Sequence, residues 1–213
     1  MLSVIHAPSP ARQPAALVLD GLHVSHGLGE TIFDEGQSAD RVYQLISGAL
    51  RTCRLLRDGR RQIEAFHFPG DVFGLESGAA YRVSAQTLSA TLARVMPRAA
   101  LETLAAERGD VVRRLLALTT DSLRRSQDHA LMLGRRAACE RVAALLLDLA
   151  ERTGAQALLD VPMGRQDMAD YLGLTIETVS RTLTQFQHDG LIALPAARKV
   201  LLRDRAALAA MVD

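Results

Sequence analysis

Between Arg165 and Leu183 the chain reads RQDMADYLGLTIETVSRTL, two short amphipathic helical patterns held apart by one glycine, and few architectures admit that arrangement. Met168, Ala169 and Leu172 share one face of the first pattern, and Ala169 is small where another helix must approach closely. Gly173 can take the left-handed backbone that ends a helix without a steric penalty. Thr175 follows as an N-cap, and Glu177 lies in the opening turn, where a carboxylate suits the helix dipole. Val179, Leu183 and Phe186 then form an inner face, which leaves Ile176, Glu177, Ser180, Arg181 and Thr184 outside. The pattern predicts a helix-turn-helix whose second helix enters a DNA major groove by its N-terminal end. An ordinary helical hairpin in a core shares this local pattern, so the flanking sequence must decide between them.

Downstream, Gly190-Leu-Ile-Ala-Leu closes the second helix and begins a strand, and Pro195-Ala-Ala-Arg-Lys separates it from Val200-Leu-Leu. A two-stranded wing is expected there. Arg198 and Lys199 are placed near its tip to touch phosphate, as are Arg165, Thr175, Thr178 and Thr184 on the two helices, with solvated surface charge as the alternative. The formal net charge is only +1, from 25 basic and 24 acidic residues, so no broad electropositive face is implied. Binding must depend on where individual arginines stand, and non-specific DNA should be held weakly.

At 213 residues and 48% hydrophobic content the chain can bury real cores in one or two domains. No apolar run reaches membrane-spanning length and no signal-peptide layout is visible, so a cytoplasmic protein without a membrane partner is expected. Its two cysteines, Cys53 and Cys139, are far apart and fit a reducing compartment. Pro8, Pro10 and Pro14 mark the first residues as an arm.

From Leu28 to about Val95 the texture is short alternating strands with glycine turns. Strands are expected near 29–33, 41–48, 49–56, 62–68 and 82–88, with Asp58-Gly59 and Pro69-Gly70-Asp71 as turns. This density of short strands implies a small barrel or jelly roll. After Pro97 the pattern becomes helical, with a break at Gly109-Asp110 and a long helix to about Leu133. Val112, Leu116, Leu123, Ala130 and Leu133 recur near heptad spacing, and Val111, Leu115 and Leu118 form an adjoining strip. One strip can cover the barrel while the other meets a twin helix, because helix-turn-helix readers usually pair on two half-sites. The fold class is thus α+β, in three parts. An arm and β-roll occupy 1–97, a helical region with the dimerisation helix 98–134, and a winged helix-turn-helix 135–213.

This order of parts resembles the cyclic-AMP receptor protein and fumarate-nitrate reduction regulator (Crp-Fnr) superfamily of bacterial transcription factors over nearly the whole chain. The stretch GRRQIEAFHFPGDVFGLE from Gly59 is similar to that family's cyclic-nucleotide-binding-domain roll, and YLGLTIETVSRTL from Tyr171 to its reading helix. The FixK-type branch, which controls low-oxygen respiration and nitrogen fixation, is the nearest in appearance. The resemblance implies a homodimeric regulator, most often an activator, that engages double-stranded DNA and RNA polymerase. It places Glu177, Ser180 and Arg181 at the three base-reading positions and implies a TTGA-type half-site repeated as an inverted pair. Arginine can fork onto guanine, glutamate can accept from cytosine, and serine can serve either sense. Ile176 stands where the cyclic-AMP branch carries arginine, which favours the same operator.

Sensing is where the chain departs from its relatives. An iron–sulfur sensor of the family needs four cysteine ligands, mostly near the N-terminus, and none precedes Cys53. A cyclic-AMP pocket would place glutamate directly after Gly74 and an Arg-Ser pair later, whereas Leu75 follows Gly74, Glu76 comes one place late, and the later stretch reads Arg82-Val83-Ser84. No cofactor is therefore expected. His67 alternates with Phe66 and Phe68 and reads as a surface or hydrogen-bonded side chain rather than a haem ligand, and His23 with His26 lacks a third metal partner. Cys139, beside the join of long helix and reading domain, keeps a redox role open. A cupin-like metal enzyme is the rival class, but it needs several histidines converging in the barrel and only His67 is well placed. No enzyme activity is expected.

Overall fold

The computed structural model describes residues 20–135 and 137–212. The proline-bearing arm, Arg136 and Asp213 lie outside them.

Eight strands build the N-terminal part: β1 (Leu22–His26), β2 (Thr31–Phe33), β3 (Arg41–Ser47), β4 (Leu50–Leu55), β5 (Arg61–His67), β6 (Val72–Phe73), β7 (Ser84–Thr87) and β8 (Thr91–Pro97). They form two antiparallel four-stranded sheets, ordered β1-β8-β3-β6 and β2-β7-β4-β5, which close face to face as a roll. The expected strands are all present, and β1, β6 and β8 are additional. β6 has only two residues and β1 is mostly exposed, so neither carries a legible alternation; their places follow from pairing, Leu22 opposite Val95 and Tyr43 opposite Phe73. Phe33, Tyr43, Leu45, Leu50, Phe73 and Tyr81 fill the roll. Phe33 stacks on Tyr81 with ring centres 3.8 Å apart.

Helix α1 (Arg98–Glu107) leads into α2 (Gly109–Arg135) at the expected glycine break. Val111 is buried with Val42, Met96 and Leu101, and Leu115 and Leu118 pack on that group, so the adjoining strip does cover the roll. Val112, Leu116 and Leu123 remain 46%, 65% and 57% exposed, a row of large apolar side chains left bare among the described residues. Ala130 is exposed as well, and Leu131 extends the row. Leu133 departs from it: the side chain is half-buried, and its Cδ2 lies 3.3 Å from where a Cβ on Gly173 would stand. Its neighbour is therefore the reading domain of its own chain, a contact that heptad spacing along one helix does not register.

The C-terminal part contains α3 (Ala138–Thr153), β9 (Leu158–Asp160), α4 (Arg165–Leu172), α5 (Ile176–His188), β10 (Ile192–Ala196), β11 (Lys199–Leu202) and α6 (Arg205–Ala210). The wing has three strands rather than two, in the order β10-β11-β9. At three residues, β9 is too short to show a period, and it is held by its register with β11 and by the Val161 N–H donating to the Arg198 carbonyl at 2.9 Å. One apolar core joins this part to the roll: Ile63, Phe66 and Phe68 from β5 and its end belong to the same cluster as Met132, Leu146, Leu149, Met168 and Leu183.

Candidate nucleic-acid interface

The reading helix is built by local chemistry on a buried base. Val179, Leu183 and Phe186 recur along α5 and are at most 2% exposed, which fixes its rotation about its own axis. Met168, Ala169 and Leu172 on α4 are fully buried in the same cluster. Gly173 joins the two helices in the left-handed conformation, φ +61°, and its N–H donates to the Ala169 carbonyl. The Thr175 hydroxyl then accepts from the Thr178 N–H at 3.2 Å, capping α5 as its sequence implies.

With the inner face buried, Ile176, Glu177, Ser180, Arg181 and Thr184 all stand in solvent on the first turns of α5. Glu177 and Arg181 lie one helical turn apart, with Ser180 beside them. The Glu177 backbone N–H and the Thr175 hydroxyl hold its carboxyl below the usual range, so it is ionised and accepts hydrogen bonds only. A guanidinium, a carboxylate and a hydroxyl thus project together from the exposed N-terminal half of one helix, with donors and acceptors suited to base edges.

The residues assigned to phosphate are less uniform. Thr184 is exposed but its hydroxyl donates to the Ser180 carbonyl, and the Thr178 hydroxyl, half-buried, meets that of Thr175 at 3.1 Å. Arg165 is half-buried against the Met168 sulfur, 3.5 Å away, and desolvation lowers its pKa. Arg198 occupies the exposed turn of the wing. Lys199 lies instead within β11, opposite Asp160, and its Nζ is 2.9 Å from that carboxylate. Its charge is already partnered because the unforeseen third strand brings an acid beside it.

Above this domain, a cavity of about 700 Å³ lies among β5, the β6–β7 connection, α2 and α3, with Glu76, Arg82, Leu123, His67, Asp148 and Tyr171 on its walls. The Glu76 carboxylate accepts from both the Arg82 guanidinium (2.9 Å) and the Arg82 N–H (3.2 Å). His67 Nε2 meets the Thr52 hydroxyl at 3.2 Å, as a hydrogen-bonded histidine, and burial pushes its pKa down to about 4. His26 pairs with Glu30 and His23 with Arg94. Among the described residues no three histidine, cysteine or acidic side chains converge as a metal site. Cys53 is buried, which pushes its thiol pKa up, and Cys139 is exposed at the start of α3. No helix among the described residues is long and apolar enough to cross a membrane.

Sequence reasoning missed a further cluster. Arg51 and Arg61, on neighbouring strands of the roll, meet Asp167 and Asp170 on α4, and Arg152 on α3 meets Asp71. Their partners are 81 to 116 residues away, beyond any periodicity.

Comparison with known proteins gives concordant matches to both halves. Residues 24–108 match the cyclic nucleotide-binding domain family and residues 140–211 the Crp-like helix-turn-helix domain family. The nitrogen fixation regulation protein FixK of Azorhizobium caulinodans is 48% identical over 93% of this chain and 81% of its own length. The transcriptional activatory protein AadR of Rhodopseudomonas palustris is 42% identical, over 81% of this chain and 74% of its own. The solved structure of FixK2 from Bradyrhizobium japonicum superposes with a TM-score of 0.88 at 44% identity, covering 92% of this chain and 98% of that one.

Proposed function

This chain belongs to the Crp-Fnr superfamily, in its FixK branch, and from that premise we propose that it works as a homodimeric activator reading TTGA-type inverted repeats. It is a sequence-specific DNA-binding transcription regulator, and control of low-oxygen, respiratory or nitrogen-fixation genes follows from its relatives. The observation that carries the reading is the exposed trio Glu177, Ser180 and Arg181 on a capped helix whose opposite face is buried. Arg181 donates to guanine O6 and N7, Glu177 accepts from cytosine N4, and Ser180 donates or accepts between them. Thr175, Thr178, Thr184, Arg165 and Arg198 contact phosphate and set register, with Lys199 contributing less because Asp160 holds it. Val112, Leu116, Leu123 and Ala130 on α2 meet the same strip of a second copy, placing one reading helix on each half-site. A protein acting this way is cytoplasmic, engages RNA polymerase and has no catalytic role.

The residues in the roll do not fit a cyclic nucleotide. Leu75 holds the position of the glutamate that would meet ribose, and Glu76, one place late and 7% exposed, pairs with the exposed Arg82. The chain's two cysteines, Cys53 and Cys139, fall short of the four ligands that an iron–sulfur cluster of this family needs. These features support a regulator that needs neither cyclic AMP nor an iron–sulfur cluster. Gel-shift titration against TTGA palindromes and scrambled DNA, with and without cyclic AMP, tests the reading. Selective binding unaffected by the nucleotide is expected, and equal affinity for both DNAs overturns it.

A further inference from the structure

An aspartate at the third position of a helix ordinarily spends its carboxylate on that helix's own free N–H groups. Asp167 does so with one oxygen: Oδ2 accepts from the Gly164 N–H at 3.2 Å. Its other oxygen leaves the domain. Oδ1 accepts from Arg51 Nη1 at 2.5 Å and from Arg61 Nη2 at 2.6 Å. Asp170, one turn on, accepts from Arg61 Nε at 2.8 Å, and its Oδ1 takes the Gln166 amide. The second Arg51 amino group donates to Gln86 on β7 at 2.9 Å, anchoring that guanidinium in the sheet. All four charged side chains are largely shielded, with 11% and 13% exposure for Asp167 and Asp170 and 16% and 27% for Arg51 and Arg61.

Phe66 meets Tyr171 as a tilted ring pair at 5.1 Å, and apolar contact of this kind carries no directional bond. The planar guanidinium of Arg61 spans two carboxylates one turn apart, and Arg51 links the first of them to Gln86, which together restrict both distance and angle. Shielded ion pairs add little net stability, but an arrangement that separates them leaves uncompensated charge at the interface. Arg152 ties the domains in the opposite sense, from α3 to Asp71 at 2.7 Å and to the Phe66 carbonyl at 2.9 Å. Because α4 and α5 share one buried core and one tight turn, whatever holds α4 also aims α5.

We propose that Arg51 and Arg61 are positioning residues for DNA reading: through Asp167 and Asp170 they set α5 at one angle on the chain's own roll, so that a dimer accepts one half-site spacing without an effector. This inference rests on the inverted-repeat reading above. Its test measures affinity for TTGA repeats whose spacer is cognate or altered by two base pairs, and X-ray scattering of the protein without DNA. Wild type selects one spacing. Arg61→Glu lowers that selectivity by about tenfold and expands the particle, while keeping helical content. The charge swap Arg61→Glu with Asp170→Arg restores both. Should Arg61→Glu fail to fold, Arg61→Gln removes the charge without repulsion and is read in the same way, with a smaller effect. An unchanged spacing preference with superimposable scattering overturns the proposal. So does an equal loss on every spacing and on random DNA that the charge swap does not recover, because Arg61 would then be gripping phosphate. Were wild type indifferent to inverted repeats, the functional reading would fall. The scattering comparison would still judge the clamp, which fails if Arg61→Glu leaves the particle unchanged.

Discussion

Arg181 and Glu177 illustrate how little of a reading surface depends on distant contacts. Each is exposed because three neighbours on the same helix are buried, and that division is written in the spacing of Val179, Leu183 and Phe186. Arg181→Ala is expected to weaken binding to a TTGA repeat by about 1–3 kcal/mol and to relax the guanine preference, as read by anisotropy titration against single-base variants. An equal loss on random DNA would reassign Arg181 to phosphate. His67 shows the other extreme. Its alternation with Phe66 and Phe68 left a surface or a hydrogen-bonded side chain open, and the Thr52 partner exists only because β4 pairs with β5. With an unfolded value near 6.5 and a folded value of about 4, the unfolded chain binds the extra proton between those limits. Stability therefore falls as pH drops through that window, by up to roughly 3 kcal/mol. Urea unfolding at pH 7 and pH 4.5 should show a smaller drop for His67→Gln than for wild type.

The short elements of the reading domain were legible because each carries its own start and stop signals. Thr175 caps α5 and Gly173 ends α4, as the letters alone required. Thr175→Ala should cost about 1 kcal/mol of stability by thermal or chemical unfolding, the usual worth of an N-cap. The long helix was legible in its two strips, one covering the roll and one left bare. Replacing Leu116 and Leu123 together by glutamate should yield a folded monomer in sedimentation experiments, since both side chains stand in solvent within one chain. A persistent dimer would remove this strip from the interface. Leu133 and β9 escaped the reading for a common cause. Each is defined by a partner on another element, Gly173 in one case and the β11 edge in the other.

At the scale of the whole molecule, one continuous apolar core and three arginines join roll and reading domain. Cyclic AMP should therefore leave operator affinity unchanged and give no heat in titration calorimetry, the Glu76–Arg82 pair being closed on itself. A clear signal would reopen the roll as a nucleotide site. Asp167 and Asp170 each have a local partner, the Gly164 N–H and the Gln166 amide, so nothing within a few positions points to the arginines that also meet them. Periodicity, caps and turn residues determined the long helix, the two helices of the helix-turn-helix, most strands, the order of domains and which α5 side chains face outward, since those follow from neighbours within a few positions. Which arginine meets which aspartate, which lysine is already partnered and how the reading helix is aimed were decided by folding alone. The arginine–aspartate contacts join residues 106 and 116 positions apart, the lysine contact joins two strands of the wing, and no local period encodes an angle between domains.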